Sequence, residues 1–191
     1  MRKVKGFKLV LRPAEVKRRA KKAGLELAAL GLGDEELHKL LAGASKTIVP
    51  AVLFETFKHP DADAAALSPI PGLAYSLILA TLGPGFTPAK EAAREGSAET
   101  YALWGIVEAV ALEEAVRFAA GLLEEEAAKD ACTLSPWNAI AEPGALDTVL
   151  RKLDAGKIEV RLHEGRLDPP ATSAVSLGWL AQSRARKPKK D

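Results

Sequence analysis

Two glutamates stand out among the residues that could do chemistry, because each lies within or beside an apolar helical face. Residues 97–129 form the longest predicted helix, and its apolar side chains recur at spacings of three and four. Glu108 and Glu113 fall in or next to that face. A carboxylate in such a place needs an ion-pair partner or a ligand, since a lone buried charge is costly. Both are therefore candidate ligand-binding residues, whereas the helix's other carboxylates are typical of a solvated face.

A second group of candidates surrounds the tryptophan in the stretch CTLSPWNAI, residues 132–140. Pro136 lacks a backbone donor and ends the strand predicted at 131–134. Trp137 and Asn138 follow at once, so both fall in a turn. A bulky ring in such a turn indicates either a ligand-binding loop or a packed corner.

A third candidate is a carboxylate between two predicted strands, 158–162 and 173–180. The stretch RLHEGRLDPPATSAVSL places Glu164 just after the first of these strands. Its side chain either bonds the backbone amides of its own turn or points into a cleft shared with the 132–138 loop. The sequence alone leaves both alternatives open.

Known catalytic and metal-binding signatures are missing from the sequence. There is no P-loop, no GxGxxG, no GxSxG and no HExxH. His38, His59 and His163 lie on separate segments, so no metal site is predicted. Cys132 is the only cysteine, which excludes internal disulfides and a cysteine zinc cage. We therefore predict no catalytic residue and no complete independent enzyme.

Composition indicates a soluble, cytoplasmic protein. Hydrophobic residues make up 48% of the 191 residues, charged residues 27%, and the net charge is +2. The basic stretches KRRAKK and RARKPKK are not interleaved with aromatic residues, so nucleic-acid binding is not predicted. The longest apolar run is shorter than the about 20 residues of a membrane span, and the N-terminus lacks a signal-peptide core. The scarcity of Asn, Gln and Met is typical of a thermophile.

The elements that must position these candidates are intermingled helices and strands, which predicts α+β or α/β packing around one sheet. Pro50 lies inside one predicted strand and suggests that this strand is at a sheet edge or a bend. Predicted strands cover 7–11, 46–57, 73–83, 131–134, 158–162 and 173–180. Predicted helices cover 13–24, 33–44, 87–96, 97–129 and 142–157, and a loop covers 59–72.

Four stretches follow a family pattern of strand, Ser-Pro turn, helix, strand and closing strand: TLSPWN, GALDTVLRKLDAGK, IEVRLHE and RLDPPATSAVSL. In this order they resemble the activation domain of vitamin B12-dependent methionine synthase and its stand-alone relatives. The matching positions are Ser135, Pro136, Leu162, Glu164, Pro170 and Ser173. The upstream stretch ATLGPGFTPAKEAAREGSAETYALWGIVEAVALEEA is similar to the family's strand, short helix and long helix. The resemblance covers roughly residues 73–180 and implies an α+β fold with a mixed, mainly antiparallel sheet flanked by helices.

The resemblance also implies a cofactor and a partner. In the family, S-adenosylmethionine binds along an extended groove and methylates reduced cobalamin held by a separate domain, with an electron from flavodoxin. This chain has nothing like the Asp-x-His-x-x-Gly cobalamin-ligand motif. Cobalamin would therefore come only through a partner, a corrinoid protein or a methyltransferase subunit.

The sequence departs from the family at its Arg-x-x-x-Gly-Tyr motif, where Thr133, Trp137 and Asn138 take the three positions. Loss of the arginine removes a bidentate clamp for a carboxylate, and no lysine or second arginine is nearby in the sequence. A tryptophan in place of glycine puts a large ring where a ligand would approach the backbone.

Two hypotheses follow. In the first, the chain is a reactivation-type protein that binds S-adenosylmethionine or a corrinoid in a groove. The residues that line this groove would be Glu108 or Glu113, Ser135, Trp137 and Glu164, and the glutamates would hold the ligand's ammonium or ribose. In the second, it is a non-catalytic accessory or interaction module that keeps the fold without the ligand. The missing arginine and the filled turn favour the second hypothesis.

The predicted domain organisation is one domain over residues 1–182. Within it we expect a looser helical N-terminal part, 1–60, and a core, 70–180, that resembles the activation domain. The charged and proline-containing segment 183–191 is predicted to be a disordered basic tail.

Overall fold

The computed structural model describes residues 1–182, so the predicted basic tail, 183–191, lies outside the described residues. The described part has the predicted α+β class. Its helices and strands follow in this order: β1 (Arg2–Lys5), α1 (Pro13–Lys22), α2 (Asp34–Thr47), β2 (Ala51–Lys58), α3 (Ala64–Leu67), β3 (Ala74–Thr81), α4 (Phe86–Ala93), α5 (Ala98–Lys129), β4 (Cys132–Leu134), β5 (Asn138–Ala139), α6 (Pro143–Lys152), a 3-10 helix (Ala155–Ile158), β6 (Arg161–His163), β7 (Arg166–Asp168) and β8 (Thr172–Ala181).

The central sheet has the strand order β1-β2-β3-β8-β4, and β5 also pairs with β8. Each of these strand pairs is antiparallel. All eight residues of β3 are buried, which explains why its sequence is a continuous apolar run rather than an alternation. Strands β6 and β7 form a separate hairpin.

Helices cover both faces of the sheet. Leu77 and Leu79 of β3 pack on the side of α6, whereas Ile78 and Ala80 pack on the side of α5. This division follows from the alternation of side chains along a strand. Helices α1 and α4 pack against α5, and α2 packs against α4, so these four helices form one layer. The hairpin β6–β7 packs with α6 on the other face.

The long helix α5 forms where the sequence predicts it. Ser97 is its N-cap, and the Ser97 hydroxyl accepts a hydrogen bond from the backbone N–H of Thr100 at 3.0 Å. Most of the apolar side chains spaced by three and four residues are buried against the sheet and the other helices, whereas Phe118 is 37% exposed. The helix ends at Lys129, one residue before the turn that leads into β4.

The N-terminal third differs from the prediction. The first strand is Arg2–Lys5, not 7–11, because Gly6 at a φ of +68° turns the chain away after its N–H donates to the Pro50 carbonyl. Pro50 precedes β2, and β2 lies between β1 and β3 rather than at a sheet edge. Residues 1–60 thus supply α1, α2 and two strands of the central sheet.

The strand predicted at 158–162 is also wrong in its first half. Ile158 ends the 3-10 helix, and Glu159 has a φ of +59°, so a strand exists only from Arg161. Ile158 and Val160 are both buried, which gives the spacing of two that resembles a strand. A tight turn buries these two side chains instead.

Candidate functional site

Glu108 and Glu113 find their partners inside the helical layer. The Lys90 ammonium of α4 donates to the Glu108 carboxylate at 2.7 Å. Arg19 of α1 donates to Glu113, and Arg117 donates to its other oxygen at 2.7 Å. These ion pairs join α5 to α4 and α1. Both carboxylates, which we expected to need an ion-pair partner or a ligand, therefore have ion-pair partners within the protein.

The same layer contains a charged depression of about 460 Å³ at the contact of α1 and α5. Its charges are largely paired with one another, and hydrogen bonds from Arg18 and Arg19 lower the pKa of Glu15 to about 2. The network stabilises the contact between the helices. The charged residues that line the depression are Arg12, Glu15, Arg18, Arg19, Glu113, Glu114 and Arg117.

Ser135 has a structural role between β4 and β8. Its side chain is buried, and its hydroxyl accepts a hydrogen bond from the Gly178 N–H at 2.9 Å and donates to the Pro136 carbonyl at 2.8 Å. Thr133, at the family's arginine position, is exposed on β4 opposite Leu180. Neither residue is among those that line the groove described below.

Replacing Ser135 by alanine is expected to lower the free energy of unfolding by about 1–3 kcal/mol, because the buried Gly178 N–H loses its acceptor. Urea denaturation of the two proteins measures this difference. Thr133→Ala, at an exposed position of the same strand, is the matched control and is expected to change stability by about 0.5 kcal/mol or less. Equal effects of the two substitutions would contradict the structural role of Ser135.

Trp137 lies at the surface. The residue is 38% exposed, so its ring is partly covered by the protein and partly open to solvent. Asn138 is exposed in β5, where it pairs with Ser176 of β8. Trp137 does not line the groove next to this turn, so its ring does not fill that groove.

An open groove of about 430 Å³ lies between the segment that follows Trp137 and the hairpin β6–β7. Its floor is the start of β8, and Ser173 is one of its residues. Glu164 adjoins the groove at the hairpin tip and is exposed. The groove is on the α6 face of the sheet, whereas Glu108 and Glu113 belong to the helical layer on the other face. Its lining residues are Ala139, Ile140, Ala141, Leu146, Gly165, Arg166, Leu167, Pro170, Thr172, Ser173 and Ala174.

The hairpin wall of the groove is held in place by its turn. Glu164 and Gly165 form a two-residue connection with φ angles of +49° and +76°, between the paired residues His163 and Arg166. Two positive φ angles are typical of the tight hairpin turn that matches strand twist. A side chain at position 165 would meet the Pro143 ring at 3.6 Å, so the tip packs closely on the start of α6.

A half-buried ionic cluster on the same face of the sheet was not predicted from the sequence. The Lys152 ammonium donates to the Asp61 carboxylate at 2.8 and 3.0 Å and lies 3.1 Å from Asp63. The hydrogen bond from Lys152 lowers the pKa of Asp61. Burial by itself would lower the pKa of Lys152, but the hydrogen bonds to Asp61 and Asp63 outweigh it and raise that pKa above its ordinary value. The Tyr75 hydroxyl is buried without a hydrogen-bond partner in residues 1–182, and burial raises its pKa. No short-range spacing signals this cluster, since Asp61 and Lys152 are 91 residues apart.

Comparison with known proteins finds no matching family model and no matching curated protein. Within residues 1–182, no group of three or more His, Cys, Asp or Glu side chains is placed to hold a metal ion. None of the helices in that part of the chain combines the length and apolar character needed to cross a membrane.

Proposed function

We propose that the chain is an activation-domain-like protein that binds S-adenosylmethionine, or a corrinoid, in the groove between β5 and the hairpin β6–β7, in support of cobalamin-dependent methyl transfer. The observation that supports this proposal is the groove itself. Its volume of about 430 Å³ is within the range of small-molecule pockets, about 300–1,000 Å³. It lies beside the turn that takes the place of the family's ligand-binding motif.

The walls of the groove fit a ligand with an apolar or aromatic body. Ala139 and Ala141 leave the backbone of one wall nearly bare, which partly replaces the missing glycine of the family motif. Ile140, Leu146 and Leu167 provide apolar contact area on the walls.

The open side of the groove leaves room for a partner protein. S-adenosylmethionine, when bound, would supply the activated methyl group, and the corrinoid of a partner would receive it. The part of this chain is to bind the ligand and to orient it toward the open side. This division of roles agrees with the absence of a cobalamin-ligand motif from the sequence.

Filling the groove is expected to abolish ligand binding. Ala141→Trp places an indole at an exposed position of the groove wall, so the ligand loses the space it needs. We expect micromolar binding of S-adenosylmethionine by the unchanged protein and a loss of about a hundredfold or more in this variant, which corresponds to about 2.7 kcal/mol. Calorimetric titration with S-adenosylmethionine, S-adenosylhomocysteine and cobalamin measures the affinities.

Ala128→Trp is the matched control, because Ala128 is exposed on α5, on the other face of the sheet. It adds the same ring without approaching the groove and is expected to bind the ligand with unchanged affinity. Unchanged binding by Ala141→Trp would exclude the groove as the site.

The exposed Trp137 favours a second function, an accessory or interaction module that keeps the fold without the ligand. Tryptophan is enriched at the centres of protein interfaces, and this ring is 38% exposed beside the exposed Pro136 and Asn138. Absence of heat with all three ligands near millimolar concentration would support this module. A purified corrinoid protein that binds the chain and is released by Trp137→Ala would then identify the surface.

A further inference from the structure

Residues 7–11 have the side-chain pattern of a strand but no strand partner. The odd-numbered residues of this segment are apolar and half-buried against the sheet and the helical layer, whereas Lys8 and Val10 are exposed. This alternation is typical of a half-buried strand. None of the backbone N–H and C=O groups of residues 7–11 is hydrogen-bonded to another backbone group of residues 1–182. The segment therefore offers a row of backbone donors and acceptors to a partner.

The neighbouring backbone explains why this segment has no strand partner. The β1–β2 ladder ends where the Gly6 N–H donates to the Pro50 carbonyl at 2.8 Å. Pro50 has no N–H to donate in return, and the Val49 N–H donates to the Leu82 carbonyl at 2.9 Å. Gly6, at a φ of +68°, then turns residues 7–11 away from β2. The two segments separate because neither Pro50 nor Val49 has an N–H left to continue the ladder.

A cleft of about 380 Å³ opens where the two segments separate. Residues 6–9 form one wall, and residues 45 and 48–50 form the other. Val49 of the second wall is 59% exposed, and Val10, which follows the first wall, is 55% exposed. The cleft thus combines unpaired backbone with exposed apolar side chains, which is the combination that binds an extended peptide.

The charges around the cleft are positive. Lys8 lines the cleft, Lys46 adjoins its second wall, and both side chains are exposed. Within the described part of the chain, no carboxylate lines the cleft. Residues 1–24 carry ten lysines and arginines against one carboxylate, Glu15. A second copy of the chain would bring the same positive segment and be repelled, whereas an acidic partner is attracted.

We infer that residues 7–11 bind an extended acidic segment of a partner protein in this cleft by β-strand addition. The partner's backbone pairs with the N–H and C=O groups of the segment, and these hydrogen bonds supply the affinity. The partner's outward side chains lie opposite Lys8 and Val10, so a carboxylate at the first position and a β-branched side chain at the second are favoured. The cleft shares no residue with the groove of the proposed function, so each can be tested without the other.

The probe for this inference is a synthetic peptide in which valine alternates with glutamate. In the free protein, amide hydrogens of residues 7–11 are expected to exchange faster than the paired amides of β1. Titration of ¹⁵N-labelled protein with the peptide is expected to shift the amides of residues 6–11 and 45–50 and to slow exchange at 7–11. The same peptide with a methylated backbone keeps its side chains but lacks N–H donors, so its binding is expected to be lost.

Lys8→Glu is expected to weaken binding of the acidic peptide about tenfold, because a like-charge pair replaces an opposite-charge pair. Lys58→Glu is the matched control, since Lys58 is an exposed lysine at the other end of β2. It makes the same change in net charge and is expected to leave the affinity unchanged. Circular dichroism verifies that both variants are folded.

Three results overturn the inference: binding that survives methylation of the peptide backbone, equal affinity of Lys8→Glu and the unchanged protein, or no amide shifts at millimolar peptide. Exchange at residues 7–11 that is slow in the free protein and becomes fast as a dimer dissociates on dilution also overturns it. That result identifies a second copy of the chain as the occupant of the cleft. Each of these results leaves the proposed function of the groove intact.

Discussion

Replacing Trp179 by alanine is expected to lower the free energy of unfolding by about 3–5 kcal/mol. The side chain is 5% exposed and packs between the sheet and α5. Its indole N–H also donates to the Ser76 hydroxyl at 2.7 Å. The substitution therefore leaves a cavity and removes a buried hydrogen bond, and urea denaturation followed by circular dichroism measures the loss.

Trp137→Ala is the control for this prediction, because the two substitutions delete the same ring from different surroundings. The Trp137 side chain is 38% exposed, and we expect its removal to cost less than about 1 kcal/mol. A similar loss for both variants would contradict the assignment of Trp179 to the core and of Trp137 to the surface.

Replacing Lys152 by methionine is expected to lower the free energy of unfolding by about 2–4 kcal/mol near neutral pH. The lysine and Asp61 side chains are each 16% exposed, so the substitution leaves the carboxylates of Asp61 and Asp63 close together without their cation. Methionine keeps much of the apolar stem and removes the ammonium, which also lies 4.8 Å from the centroid of the Phe57 ring. Urea denaturation at pH 7 gives the difference.

The pH dependence of this difference follows from the direction of the pKa shift. Lys152 holds the pKa of Asp61 in the folded protein below its ordinary value of 3.8. The stabilisation is therefore fully present above that value and is lost as the pH falls through the lower folded pKa. The two proteins are expected to converge in stability as the pH falls below about 4.

Lys157→Met is the control for the lysine substitution. Lys157 pairs with Asp154 at 3.0 Å, but both side chains are about half exposed or more, so its loss is expected to cost about 0.5 kcal/mol or less. If the difference in free energy of unfolding between Lys152→Met and the unchanged protein stays constant down to pH about 3, the ion pair is not the cause of that difference.

The parts of the fold that the sequence predicts well depend on short-range signals. The N-cap Ser97 and the apolar spacing of three and four identify α5, and a continuous apolar run identifies β3. The same reasoning fails at 158–162, where a 3-10 turn buries Ile158 and Val160 at a spacing that imitates a strand. Local spacing cannot separate these two cases, because both bury every second side chain.

The candidate site depends on contacts that no local pattern contains. Glu113 binds Arg19, 94 residues earlier in the chain, so the glutamate that seemed to require a ligand is satisfied by another helix. Leu167 reaches the groove only because β7 folds back on β6 and the hairpin packs on α6. Glu164 and Ser173, which the sequence singles out, lie beside and in the groove, while the rest of its lining comes from residues between and beside them.

The most direct test of the account is to locate the ligand on the protein by amide chemical shifts. Uniformly ¹⁵N-labelled protein is titrated with S-adenosylmethionine, and the shifted amides are mapped on the fold. The account predicts shifts concentrated in residues 138–141 and 164–174, on the two walls and the floor of the groove. Shifts confined to the charged depression between α1 and α5, or no shifts at millimolar ligand, would contradict it.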